Sequence, residues 1–294
     1  MDTPSASTRI TPDLLAQLQD FQGRVEVASD EIAASPVAGL SATLDREDDE
    51  PLRGMELPPL WHWLYFLPRA RQSQLGNDGH PRLGKFLPPV PLPRRMWAGG
   101  RLQWHAPLRV GDTVQRTSRI ETVTHKAGRT GDLLFVLVRH DLSQSGHVCV
   151  TEEQDIVYRA AAKPGDPEPA PTAAPEGAVW TREIVPDPTL LFRYSALTFN
   201  GHRIHYDRPY ATGVEGYRGL VVHGPLIATL LADLARRERP GASIAGFSFK
   251  AIRPMLDLRP FQVCGKPSAD GKSAQLWAHD HEGWLTMQAH IQFD

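Results

Sequence analysis

The stretch LIATLLADLARRE, residues 226–238, decides the fold. Leu226, Ile227, Leu230, Leu231 and Leu234 recur at helical spacing and form one apolar stripe, while Asp233, Arg236 and Arg237 are expected to face away. Such a helix must bury its stripe, and the residues that follow supply a partner in strand candidates near 243–252, 261–267, 273–280 and 284–293. The last of these alternates with period two. Leu285, Met287, Ala289, Ile291 and Phe293 point one way and Thr286, Gln288, His290 and Gln292 the other, as in a strand with one buried face. Upstream, VWTREIV reads as a short strand, and Asp187-Pro188 as the N-cap and first turn of a helix reaching about Leu197. The carboxy-terminal part is therefore an α+β unit, an antiparallel sheet packed on a helix.

The first half repeats the pattern. Between Gly100 and Arg159, GRLQWHAPLRVGD, TVQRTSRIETV, DLLFVLVRHDL and HVCVTEEQDIVYR read as four strands separated by Gly-Asp, Ala-Gly and Ser-Gly turns. GRLQWHAPL lies over FSFKAIRPM, matching Leu102 with Phe249 and Pro107 with Pro254. Further on, Val136 and Val138 fall on Leu276 and Ala278, and Val148 and Val150 on Leu285 and Met287. Self-similarity of this kind predicts duplication. Ahead of these strands, Thr11-Pro12 opens a helix closed by Gly23, and a second follows Ser35-Pro36 with Val37, Leu40 and Leu44 on its apolar face. The acidic run DREDDE reads as a solvated loop. Residues 57–97, rich in proline and aromatics, read as a packed lip without long regular elements. The expected organisation is an amino-terminal domain at 1–160, a proline-rich linker at 161–177 and a carboxy-terminal domain at 178–294.

The chain has 294 residues and a formal charge of -2, from 32 basic and 34 acidic side chains. That balance offers no basic field for nucleic acid or an anionic membrane and favours a small-molecule partner. Cys149 and Cys264 lie far apart without metal-ligand spacing, as expected in a reducing compartment. The start, MDTPSASTRITPDLL, has no charged and apolar regions of a secretion signal, and no apolar run is long enough to cross a bilayer. A cytoplasmic protein is expected.

Polar chemistry concentrates in YSALTFNGHRIHYD, residues 194–207, and in VVHGP, residues 221–225. His205 suits a general base, because imidazole titrates near neutral pH. Asn200 would hold water or substrate. Thr198 cannot be a base at neutral pH and at most orients water, and Asp207 either fixes an imidazole tautomer or caps the next turn. Gly224-Pro225 starts the apolar helix, so amide dipoles there can stabilise an oxyanion or simply begin a helix. Arg203, Arg94 and Arg95 are candidates for a substrate carboxylate or phosphate, against the alternative of surface ion pairs. Tyr194, His202 and His223 complete the substrate-binding candidates. Three histidines also permit zinc, but no carboxylate or cysteine stands at supporting spacing, so no metal is expected.

The same two stretches resemble the MaoC-like hydratases and dehydratases of the hot-dog fold. More closely, they are similar to the branch of mesaconyl- and itaconyl-CoA hydratases and the mitochondrial-type 3-hydroxyacyl-thioester dehydratase. FLPPVPLPRRMWAGGRLQWHAPLRVGD and EEQDIVYR resemble that branch's amino-terminal domain. The resemblance implies a double hot-dog fold, each half an antiparallel sheet wrapped on a central helix, with the second half catalytic and the first shaping the pocket. It implies reversible hydration of a short branched dicarboxylic enoyl-CoA, with no cofactor beyond the CoA of the substrate, and leaves a homodimer open. The alternatives are a fatty-acyl thioester dehydratase, a thioesterase and a noncatalytic acyl-CoA binder. One departure stands out: Thr198 occupies the position of the wider family's catalytic Asp, and two extra residues separate Asn200 from His205.

Overall fold

In the computed structural model, which describes residues 9–128, 131–160 and 170–294, each half of the chain builds five strands. The first half gives β1 (Val25–Glu31), β2 (Arg94–Trp104), β3 (Thr113–Gly128), β4 (Gly131–Gln144) and β5 (His147–Arg159). The second gives β6 (Trp180–Ile184), β7 (Ile244–Ala251), β8 (Phe261–Pro267), β9 (Ser273–His279) and β10 (Leu285–Phe293). All ten join one antiparallel sheet in the order β1-β3-β4-β5-β2-β7-β10-β9-β8-β6. From its centre outward the order is the same in both directions, so the expected duplication is present in the topology. Val136 and Val138 on β4 and their matches Leu276 and Ala278 on β9 are all buried. The halves meet where β2 and β7 pair, from Gly99 opposite Lys250 to Gln103 opposite Gly246. A Cβ on Gly99 would lie 2.7 Å from the Phe249 carbonyl oxygen, so the strands approach this closely only because that residue is glycine.

The expected helix is α5 (Gly224–Glu238), buried from Leu226 to Ala235 and packed on β6, β8, β9 and β10. In the first half the cover is assembled from pieces. Here α2 (Ala34–Thr43) and a 3₁₀ turn at Trp61–Leu64 join the main core, while α1 (Pro12–Gln19) closes the far end over Ile120, Leu134, Val136 and Val138. Thr11 caps α1 as expected, its hydroxyl accepting from the Leu14 N–H.

Several expectations change. Asp233 does not face solvent: it is 1% exposed and accepts from Arg46 (2.6 Å), Arg182 (3.0 Å) and Arg237 (2.7 Å). Arg46 belongs to the acidic run, and Asp48 of that run accepts from Ser41 and Arg46, so part of the expected loop is folded against α5. β1 was not foreseen, because its valines, Val25 and Val27, face outward on a sheet edge. β2 begins at Arg94, ahead of the expected start, and takes the end of the proline-rich lip into the sheet. The linker's residues 161–169 lie outside the described residues. Residues 170–177 are not a free tether: Ala173 bridges Trp284, and the Ala174 N–H donates to the Gly283 carbonyl at 2.9 Å. Among the described residues no helix is long and apolar enough to cross a membrane.

Candidate active site

The site begins where α3 (Pro188–Leu197) ends. Asp187 caps this helix through the Leu190 N–H (2.8 Å), and Thr198 closes it, its hydroxyl donating to the Tyr194 carbonyl at 2.7 Å. Phe199 then adopts a left-handed φ of 48°, which turns the chain back so that the Asn200 N–H reaches the Ser195 carbonyl at 2.8 Å. Asn200 Oδ1 accepts from the His202 N–H (3.0 Å), which fixes the next bend and leaves the Asn200 amide NH₂ for a ligand. A 3₁₀ turn, Arg203–His205, sets His205 beneath Val221, and Asp207 caps α4 (Arg208–Gly213) through the Tyr210 N–H at 3.1 Å.

His205 is 7% exposed, and its Nδ1 lies 2.7 Å from the Val221 carbonyl oxygen. A carbonyl only accepts, so Nδ1 carries the proton and Nε2 keeps a lone pair. The tautomer is thus fixed by Val221 and not by Asp207, which is spent on Arg203 and the α4 cap. Burial lowers the His205 pKa to about 3, opposed by the Val221 hydrogen bond. The ring is neutral at pH 7 and able to accept a proton. It stacks on His223 with centroids 3.7 Å apart, and His223 immediately precedes Gly224. The His205 ring and the start of α5 therefore converge. The Gly224 N–H lies in the helix's first turn, out of reach of an intrahelical carbonyl, and a Cβ on Gly224 would meet nothing within 4 Å.

His205 and Gly224 border a cavity of about 2520 Å³, together with Thr198, Asn200 and His202 from the second half and His80 and Arg95 from the first. His80 arrives on a loop, residues 75–81, closed by a Leu75–Pro81 bridge. The Arg203 N–H donates to the Asp78 carbonyl (2.9 Å) and Arg203 Nη1 to the Asn77 carbonyl (3.0 Å). Gly79, at φ 88°, lies against the segment 194–207 so closely that a Cβ there would be 1.9 Å from the Gly201 carbonyl oxygen.

Some expected roles change in this setting. His223 is fully buried behind the His205 ring, with Nε2 2.8 Å from the Ser195 hydroxyl, and does not border the cavity, so it backs the His205 ring and has no face toward a ligand there. Tyr194 is buried edge-on against His223 at 5.1 Å and still borders the cavity, and burial raises its phenol pKa. The Thr198 hydroxyl proton is committed to α3, leaving only a lone pair for water. Arg203 is held by Asp207 through Nε (3.0 Å) and Nη2 (2.8 Å). Arg94 is held by the Glu215 carbonyl (2.6 Å). Of the three arginines, Arg95 alone forms no ion pair among the described residues. Among the described residues the ligand-capable atoms that gather are not those of His202, His205 and His223. Asp78, His80 and His202 instead bring one ligand-capable atom each within 4.8 Å of one another.

A model of the family described as hydroxyacyl-thioester dehydratase type 2 matches residues 60–257. The chain belongs to that family. It is similar to the mesaconyl-C(4)-CoA hydratase of Chloroflexus aurantiacus, 53% identical over 92% of this chain and 95% of the relative. It is 28% identical to the mitochondrial hydroxyacyl-thioester dehydratase type 2 of Schizosaccharomyces pombe, over 81% of this chain and 89% of that one. Among solved structures, a Mycobacterium tuberculosis protein described as a double hotdog fold superposes with a TM-score of 0.57 at 14% identity, covering 92% of this chain and 96% of its own. The fold is the expected double hot-dog, and the family is one of hydratases and dehydratases.

Sequence reasoning missed Asp78 and His80 altogether. The turn GNDGHP, residues 76–81, falls within the stretch that reads as a proline-rich lip, and more than 120 residues separate His80 from His202. It also missed Glu152, a buried carboxylate on the first half's inner face that accepts from His62 (3.0 Å) and Trp63 (3.0 Å). No local pattern marks either group, because each acquires its neighbours only on folding.

Proposed function

We propose that this enzyme adds water reversibly across the double bond of a short branched dicarboxylic enoyl-CoA of the mesaconyl type, giving a 3-hydroxyacyl-CoA such as citramalyl-CoA. The substrate class rests on the relative at 53% identity, whose name carries it. The chemistry rests on one observation, the bond from His205 Nδ1 to the Val221 carbonyl, which turns the Nε2 lone pair into the free acceptor beside the start of α5.

Water attacks the carbon β to the thioester while His205 Nε2 takes its proton. Electrons of the double bond move toward the thioester oxygen, where the Gly224 N–H donates to the enolate. Negative charge on the enolate stabilises the nearby imidazolium, so a ring with a low pKa in the empty site holds a proton for the life of the intermediate. That proton returns to the α-carbon on the same face. One water is then added and the enzyme regains its starting state. The Asn200 amide holds the water or the acyl chain. No metal or organic cofactor enters this reading, and CoA arrives with the substrate.

The test is incubation with mesaconyl-, itaconyl- and crotonyl-CoA, following loss of the conjugated-thioester absorbance with a thiol reagent present. Hydration without free thiol is expected, fastest on a dicarboxylic substrate. Thiol release with no hydrated product would mean a thioesterase. Activity that rises with chain length on straight acyl groups would favour the fatty-acyl dehydratase reading, which the Schizosaccharomyces pombe relative supports.

A further inference from the structure

Two imidazoles that the proton-transfer steps leave unused stand beside His205, one from each half of the chain. His202 lies edge-on to His205 with centroids 5.4 Å apart, and His80 lies 4.2 Å from His202. The loop carrying His80 is anchored to the catalytic segment through Asp78, Asn77 and the Gly79–Gly201 apposition. Arg95 comes from β2, where its neighbour across the strand pair is Tyr158, wholly buried on the inner face. It borders the same cavity as the imidazoles. Burial first, and then the Arg95 charge, hold His80 and His202 below the ordinary histidine range, His202 at about 4. The charged and titratable groups facing this pair are Arg95 from β2, Asp78 from the His80 loop and His205 from the 3₁₀ turn, with His223 stacked behind it.

We propose that Arg95, His80 and His202 form the subsite for the free carboxylate of a dicarboxylic enoyl-CoA. This rests on the hydratase reading above and assigns its substrate class to particular residues. In a mesaconyl thioester the carbon that receives the hydroxyl also bears the carboxylate, so whatever binds the carboxylate must lie next to the base, as His202 does. Arg94 and Arg203 are already engaged, which leaves the planar guanidinium of Arg95 to pair with the carboxylate while the imidazoles donate N–H groups. Asp78 Oδ1 accepts from the backbone N–H of His80 (3.0 Å), and its carboxylate lies within 4.8 Å of ring nitrogens of His80 and His202. With Arg95 positive and Asp78 negative, the empty subsite is balanced. An arriving carboxylate adds one negative charge, and that excess draws a proton onto the imidazole pair. A dicarboxylic ligand therefore binds with proton uptake, and a monocarboxylic one without it.

The test uses two unreactive saturated thioesters, methylsuccinyl-CoA with its carboxylate on the methyl-bearing carbon, and butyryl-CoA. Their binding is measured by calorimetry at pH 7 in buffers of different ionisation enthalpy. The wild type is expected to prefer methylsuccinyl-CoA by about tenfold or more, the scale of a charge-assisted hydrogen bond, and to take up a proton only with that ligand. Arg95→Met and His80→Ala are each expected to bring the preference close to unity, and Arg95→Lys, which keeps the charge, to restore part of it. A wild type that prefers the diacid while Arg95→Met and His80→Ala keep the full preference would overturn the subsite and leave the dicarboxylate reading standing. A wild type with no preference would overturn both, and crotonyl-CoA hydration would then report separately on the chemistry.

Discussion

At the scale of single residues, the site depends on how few atoms of His205 remain available. Its Nδ1 is occupied by Val221 and its ring is backed by His223, so the only new bond it can form is at Nε2. His205→Ala is expected to lower turnover by about a hundredfold or more while folding and acyl-CoA binding persist, the range for loss of a positioned base. Near-normal turnover would make the ring structural. The sequence singles out this residue and Asn200 because both sit in one contiguous motif whose chemistry is local, and the structure places both at the cavity. It could not identify what holds them. The Val221 carbonyl is a backbone atom without sequence identity, and His223, although noticed, was assigned to substrate because nothing in a linear reading says that its ring lies behind another. Thr198 is the opposite case, a position correctly read as incapable of base chemistry whose hydroxyl is spent closing a helix.

At the scale of elements, the helix at 226–238 and the strands around it follow from apolar spacing, and they form where that spacing puts them. Asp233 sits opposite the apolar stripe, yet three guanidiniums reach it from Arg46, Arg182 and Arg237, and Arg182 and Arg237 also donate to the Leu44 carbonyl at the end of α2. Spacing along a helix reports which residues share a face, not whether another part of the chain covers that face. This carboxylate joins the acidic run after α2 to β6 and α5, segments of both halves. Asp233→Ala would leave several guanidiniums half-buried without their anion, and the expected cost is about 3–5 kcal/mol in unfolding free energy, the scale for breaking a buried ion pair. Urea denaturation measures it, and a loss below about 1 kcal/mol would show that the surrounding carbonyls suffice. β1 escaped for a related reason, since an edge strand with its valines outward lacks the buried alternation that marks a strand.

At the scale of the whole molecule, the cluster of neutral histidines has a consequence for stability. His80 and His223 are held well below the ordinary range, His202 at about 4 and His205 at about 3, chiefly by burial. In the unfolded chain each titrates near 6.5, so on acidification the unfolded state takes up protons that the folded state refuses. Stability is therefore full above about pH 6.5 and falls as the pH drops toward the folded-state values, by up to about 1.4 kcal/mol per pH unit for each ring. Urea midpoints at pH 7.5 and pH 5 should differ accordingly, and His202→Asn should reduce the difference; equal midpoints in the wild type would contradict the burial argument.

The mirrored strand order of the sheet carries one last implication. A cleft between two copies of a single unit would show every lining group twice, and any change on one wall would be forced on the other. Joining the units in one chain removes that constraint: the second half lines the cavity with the segment at 194–225, and the first half lines it with the loop and strand start at 75–97, the loop packing directly on that segment. On the proposed reading, two of the three groups that would choose the acyl chain, Arg95 and His80, come from the first half, and only His202 shares the stretch that would move the proton, so selection can act on the first pair without altering His205.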